Sequence, residues 1–170
     1  VIAQGFKALS EGKVVIPPIG EMLFPDVDGE LHIKYGAIKG DEDFVVKMAT
    51  GFFQNPSIGL SPFSGCMMVF SQKTGHISSL LLEEGELTNH RTAAAGAVAA
   101  KCLAPKNVNM IGIVGTGVQS RLQALYLQKM TDCRNLVIWG RNKDKAELAA
   151  VDMQKMGYEA NVIENLNDLC

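Results

Sequence analysis

Three places in this chain carry residues able to do chemistry: a glycine turn at Gly115-Thr116-Gly117, a lysine at position 47 inside an apolar run, and an arginine at position 91 opening an alanine-rich stretch. The glycine turn follows the apolar segment Met110–Val114 and precedes Val118-Gln119-Ser120. Gly115 permits a tight exit from a strand, and Gly117 keeps a Cβ out of the path of an approaching anion. A helix opening near Val118 would aim its unpaired backbone N–H groups at a pyrophosphate. The third glycine of the usual G-x-G-x-x-G spacing is replaced by Ser120, so the weight falls on context. An apolar strand before the turn, a helix after it and a complete βαβ unit around it are what the motif requires. A glycine turn in some other α/β protein is the competing reading.

The end of the next strand bears on the type of dinucleotide. Enzymes using NAD usually place a carboxylate there for the ribose hydroxyls, whereas NADP calls for basic and small polar residues. This chain reads Ile138-Trp-Gly-Arg-Asn-Lys143, with no carboxylate before Asp144. Arg141 is suited to stack on adenine and pair with a 2′-phosphate, and Asn142 and Lys143 add donors beside Gly140. NADP(H) is therefore favoured over NAD(H), against the alternative of an ordinary solvated Arg-Asn-Lys turn.

Lys47 sits in Phe44-Val-Val-Lys-Met-Ala49, where alternation puts it on one face with Val45 and Ala49. A buried ammonium is costly unless it meets an anion or does chemistry, although lysines also serve as solubilising residues at sheet edges. Arg91 is expected in the first turn of a helix capped by Thr88, where a guanidinium beside free N–H groups makes a bidentate carboxylate clamp. A plain surface arginine is the alternative. His32, Lys34 and His90 are weaker candidates.

The elements that must position these residues fall into two kinds. An N-terminal helix (1–9) and strands over 14–16, 30–35, 44–49, 66–71 and 77–82, separated by turn signals, predict a β-rich first domain. Strands without helices between them argue for antiparallel or mixed pairing. A helix from Thr88 to Leu103, stopped by Pro105, follows. The pattern then alternates: strand 109–114, helix 119–129, strand 136–139, helix 143–156 closed by Gly157, strand 160–163, and a further helix beginning near Asn165. This βαβαβ run is the first half of a Rossmann-type doubly wound parallel sheet. The expected organisation is an α/β chain with a β-rich substrate domain over 1–105 and a nucleotide-binding domain over 106–170.

Composition excludes several classes. The 170 residues are 47% hydrophobic and 20% charged, with net charge −2, so neither a nucleic-acid footprint nor a basic membrane patch is present. No apolar run approaches the roughly 18–20 residues that span a bilayer. Val1–Phe6 has no basic segment leading into an apolar core, so no signal peptide is read and a cytoplasmic location is expected. Cys66, Cys102, Cys133 and Cys170 are widely spaced without CxxC or a histidine at ligand spacing, so reduced thiols and no metal site are expected.

Taken together, the segments Phe44–Pro56, Lys73-Thr-Gly75, Leu87-Thr-Asn-His-Arg-Thr-Ala-Ala-Ala95 and Val114-Gly-Thr-Gly-Val-Gln119 resemble the ornithine cyclodeaminase/mu-crystallin family. They occur in that family's order and cover nearly the whole chain. The resemblance implies that Lys47 and Arg91 hold the substrate α-carboxylate, with Lys47 also near the reacting carbon and Thr88 shaping the helix start beside them. It implies that Thr116, Gly117, Val118 and Gln119 meet a cofactor pyrophosphate, and that Gly140, Arg141 and Asn142 meet the adenosine end. Members oxidise an α-amino acid or reduce an imine or ketimine at the nicotinamide. In the cyclodeaminases the side-chain amine attacks the imine, ammonia leaves, and the returning hydride gives proline. The expected activity is ornithine cyclodeamination or NAD(P)H-dependent imino-acid reduction, on a small amino or imino acid, in a homodimer. The alternative is a non-catalytic NADPH-dependent binding protein of the mu-crystallin kind. Family chains are longer, so a carboxylate handling the substrate amine is expected beyond position 170.

Overall fold

The computed structural model describes residues 1–82 and 84–169; Glu83 and Cys170 lie outside the described residues, so the reading of Cys170 as a reduced thiol is outside them too. Helix α1 (Ile2–Ser10) leads into strands β1 (Val14–Val15), β2 (Gly20–Phe24), β3 (Gly29–Ile38), β4 (Asp43–Phe52), β5 (Phe63–Ser71) and β6 (Ile77–Leu81). Helix α2 (Glu86–Leu103) is followed by β7 (Ile111–Val114), α3 (Val118–Leu127), β8 (Asn135–Trp139), α4 (Lys143–Lys155) and β9 (Glu159–Val162). A short 3₁₀ turn, Leu166–Leu169, stands where a further helix was expected. The fold is α/β: an antiparallel sheet followed by a parallel one.

By internal contacts the chain divides into two compact units, one of Val1 and Ala3–Leu87, the other of Ile2 with Thr88 onward. From Thr88 onward, helix α2 groups by its contacts with the second unit.

In the first unit the sheet order is β1-β3-β4-β5-β6, with β2 also paired to β3 and every pairing antiparallel. Strand β2, absent from the sequence reading, pairs with the first half of β3 from Gly20↔Ile33 to Phe24↔Gly29, while β1 takes the second half at Val14↔Ile38. Pro17-Pro18 breaks the chain between them, because neither proline can donate to a ladder.

In the second unit β7, β8 and β9 form a parallel sheet in that order. Its core is Ile111, Ile113, Leu136, Ile138, Ala149, Ala150, Met153, Tyr158 and Ala160. Leu136, Ile138 and Met153 are fully buried, each contributing about 1.5–3 kcal/mol of apolar burial. Alternation in β7 buries Ile111 and Ile113 and leaves Gly112 and Val114 exposed, which fixes the direction in which the chain leaves for the glycine turn.

Among the described residues no helix is long and apolar enough to cross a membrane. Cys66, Cys102 and Cys133 are free thiols, and among the described residues no group of three or more His, Cys, Asp or Glu side chains is placed to hold a metal ion.

Candidate functional site

The glycine turn links the carboxyl end of β7 to α3. Gly115 takes φ +117°, a region that L side chains rarely adopt, and its N–H donates to the Trp139 carbonyl of β8 at 2.8 Å. Gly117 then precedes α3 in extended backbone at φ −83°, ψ −171°. Ser120 explains the missing third glycine. Its hydroxyl donates to the Gly117 carbonyl at 2.7 Å, and its side chain is buried, so the polar group is satisfied where it sits.

The turn opens into a cleft of about 540 Å³ lined by Val114, Gly115, Thr116, Trp139, Gly140, Arg141, Asn142 and Lys145. It lies outside the carboxyl ends of β7 and β8, where open parallel sheets bind their ligands. Its lining carries two cations, Arg141 and Lys145, and no carboxylate. A larger hollow of about 730 Å³, lined by Lys106–Asn109 and Thr131–Cys133 among others, lies at the amino end of the strands, away from the glycine turn.

Of the residues assigned to the cofactor, Gly115, Thr116, Gly140, Arg141 and Asn142 line this cleft, while Gly117, Val118 and Gln119 form the adjoining entry to α3. One assignment needs correction. Lys143, offered as a donor to the nucleotide, pairs instead with Glu164 at 2.6 Å. That hydrogen bond raises the Lys143 pKa and lowers that of Glu164. Lys145, one helical position pair further on, is the lysine on the cleft. Asn142 is the N-cap of α4, its Oδ1 accepting the Lys145 N–H at 2.9 Å, so only its amide NH₂ remains for a ligand.

Sequence reasoning also missed Arg121. Its Nε bonds Asp152 at 2.8 Å while its Nη1 donates to the Thr116 carbonyl at 2.7 Å and reaches the Gly117 carbonyl at 3.3 Å. Arg121 and Asp152 are 31 positions apart on different helices, a pairing that no local motif signals.

Helix α2 begins at Glu86, so Thr88 is inside its first turn rather than its cap, and Arg91 falls in the second turn, beyond the free N–H groups expected beside it. The Thr88 carbonyl accepts the Thr92 hydroxyl at 2.7 Å. The start of α2 is latched to α3: Gln119 Nε2 donates to the Asn89 carbonyl at 3.1 Å and to Asn89 Oδ1 at 3.3 Å, and His90 Nδ1 lies 3.1 Å from the Tyr126 hydroxyl. The second unit thus brings the Thr88–Arg91 segment to the helix that the glycine turn opens. The Gln119 side chain serves this latch, leaving its backbone for an anion.

Lys47 belongs to the first unit, half-buried in the middle of β4. Alternation along one strand showed only Val45 and Ala49 beside it. The register adds Lys34 of β3 directly opposite and Met67 of β5 on the other side. One pair further along the same face, His32 lies between Glu21 (3.8 Å) and Glu30 (3.4 Å).

A family model described as the ornithine cyclodeaminase/mu-crystallin family matches residues 1–169. The uncharacterized cyclodeaminase y4tK of Sinorhizobium fredii is 43% identical over 156 residues, 91% of this chain and 47% of that protein. A Delta(1)-pyrroline-2-carboxylate reductase of Bacillus cereus is 30% identical over 167 residues, 98% of this chain and 51% of that protein. Among solved structures, an archaeal alanine dehydrogenase dimer with bound NAD superposes with a TM-score of 0.89 at 24% identity, covering 99% of this chain and 51% of that one. The chain spans about half the length of the relatives it matches.

Proposed function

The chain belongs to the ornithine cyclodeaminase/mu-crystallin family, and from that premise we propose that it binds a nicotinamide dinucleotide and acts in hydride chemistry on a small amino or imino acid. The observation that carries this reading is the cleft at Gly115–Thr116 and Gly140–Asn142, cationic and free of carboxylates, beside the open first turn of α3. That donor set fits a pyrophosphate on the helix N-terminus and a phosphorylated ribose against Arg141 and Lys145. NADP(H) is preferred in this proposal because β8 ends without the acidic residue that NAD enzymes use. The bound dinucleotide would supply a hydride acceptor or donor for the substrate α-carbon.

The residues of the chain would do the rest. Thr116, Gly117, Val118 and Gln119 would hold the pyrophosphate through backbone N–H groups, while Gly115, its own N–H held by the Trp139 carbonyl, would make the turn that lets them reach it. Gly140, Arg141 and Asn142 would hold the adenosine end. Arg91 would take the substrate carboxylate as a bidentate partner, Thr88 would shape the helix start around it, and Lys47 would add the second cation next to the reacting carbon. The named relatives include a cyclodeaminase and an imine reductase, so ornithine-to-proline conversion and reduction of a cyclic imino acid are the two outcomes proposed. A homodimer is part of the proposal, the archaeal alanine dehydrogenase being a dimer.

The test is a panel assay with the full-length protein: ornithine, alanine, and pyrroline- and piperideine-carboxylates, each with NADPH and NADH. Oxidation of reduced nucleotide by a cyclic imine supports the reductase, and proline with ammonia from ornithine supports the cyclodeaminase. Tight NADPH binding with no turnover of any substrate would replace both with a non-catalytic binder. Failure to bind either nucleotide would end the proposal.

A further inference from the structure

We propose that Arg121, anchored by Asp152, is the residue that orients the pyrophosphate-binding turn, by holding the carbonyls of Thr116 and Gly117 on the side away from the ligand.

The argument is one of peptide geometry. A trans peptide is planar, with its C=O and the next N–H pointing in opposite directions. The Thr116 carbonyl accepts Arg121 Nη1 at 2.7 Å, so the Gly117 N–H in the same plane points the opposite way. The Gly117 carbonyl accepts the Ser120 hydroxyl at 2.7 Å and Arg121 Nη1 at 3.3 Å, which likewise turns the Val118 N–H outward. These are the donors that an anion at the start of α3 needs. Glycine is the residue least able to hold such an orientation unaided, since its backbone has the widest choice of conformations. The turn has two glycines in three residues. An external clamp on its carbonyls removes that freedom before the ligand arrives, so less of the binding free energy is lost in ordering it.

Asp152 makes the clamp rigid. Its Oδ2 takes Arg121 Nε at 2.8 Å, and its Oδ1 takes Lys155 Nζ at 3.3 Å. The guanidinium plane is thereby fixed from α4 while its other edge faces the turn. With its charge paired to Asp152, Arg121 acts on the turn through geometry more than through attraction for phosphate. It is a positioning residue.

This inference rests on the proposed dinucleotide site, and the experiment separates the two. Wild-type protein is first titrated with NADPH and NADH by fluorescence; absence of binding to both would end the site proposal itself. With binding established, Arg121→Met is expected to weaken the dinucleotide by about tenfold or more. Affinity for the matching fragment without pyrophosphate, adenosine 2′-phosphate for NADPH or adenosine for NADH, should stay within about twofold. Arg121→Lys, which keeps one donor for Thr116, should recover part of the loss. Asp152→Ala should weaken the dinucleotide too, and adding it to Arg121→Met should cost nothing further. Unchanged dinucleotide affinity in Arg121→Met, equal loss of dinucleotide and fragment, or full additivity with Asp152→Ala would each overturn the inference. If Arg121→Met does not fold, Arg121→Lys and Asp152→Asn carry the same comparison, and parallel losses of dinucleotide and fragment in both would overturn it.

Discussion

Thr116 Cγ2 lies 2.5 Å from where a Cβ on Gly140 would stand, so the two crossover turns of the parallel sheet touch at a point with no room for a methyl group. Gly140→Ala therefore pushes against a β-branched side chain that has few rotamers to escape into. A loss of about 1–3 kcal/mol is expected, with weaker dinucleotide binding because both turns line the cleft. Thr116→Ser removes the offending methyl and should restore most of the stability in the double variant. Urea midpoints check this, and no rescue would mean that the strain lies elsewhere.

Asn142 serves two neighbours at once, and the variants can separate them. Asn142→Ala removes the cap on Lys145 N–H and should cost about 1 kcal/mol. Asn142→Asp keeps an acceptor that the helix dipole favours, so stability should hold while a new negative charge at the cleft lowers NADPH affinity. Equal stability loss in both variants would show that the side chain is not acting as a cap.

Tyr158 donates its buried hydroxyl to the Ala124 carbonyl at 2.7 Å, tying the entry of β9 to α3. Burial raises its pKa, since the phenolate would lose water. Tyr158→Phe keeps the packing and drops the bond, for an expected loss of about 0.5–1.5 kcal/mol. An unchanged unfolding midpoint would contradict the buried bond.

Asp152 supplies a pH test. Hydrogen bonds from Arg121 and then Lys155 hold its pKa below the ordinary carboxylate value. A carboxylate depressed in the folded state adds stability above its unfolded pKa, and that stability drains away as pH falls through the folded pKa. The stability gap between wild type and Asp152→Asn should thus be constant from neutral pH down to the ordinary carboxylate range and close below it. Urea midpoints measured against pH decide the matter, and a gap that closes near neutral pH would be the wrong sign of shift.

Much of the fold was legible because its elements obey local rules. Strand β4 announced itself as an apolar run between turn signals, and the glycine turn by its place between strand and helix. Strand β2 was not legible: Gly20-Glu-Met-Leu-Phe24 has no alternation, and its extended state comes from pairing with β3. The start of α2 was misread because Thr88 is a strong cap residue, yet Gly85 at φ +91° lets the helix begin at Glu86. At the candidate site, Arg141 was singled out by its residue type and position, and it lines the cleft. Supporting contacts were not legible. The pairing of Lys143 with Glu164, the place of Lys34 opposite Lys47, and the anchoring of Arg121 by Asp152 each join positions well separated in sequence, and only tertiary structure creates them.

The two hydrogen bonds from Gln119 Nε2 to Asn89 tie the start of α3 to the start of α2. Residues 89 and 119 lie in the opening turns of two different helices, and neither end can shift without straining the other. On the proposed reading, a ligand that settles the first turn of α3 would also settle the stretch carrying Arg91, so that occupancy at one end would change affinity at the other. Thermodynamic linkage requires that influence to be equal in both directions, so the order in which two ligands are added alters the path but not the sum.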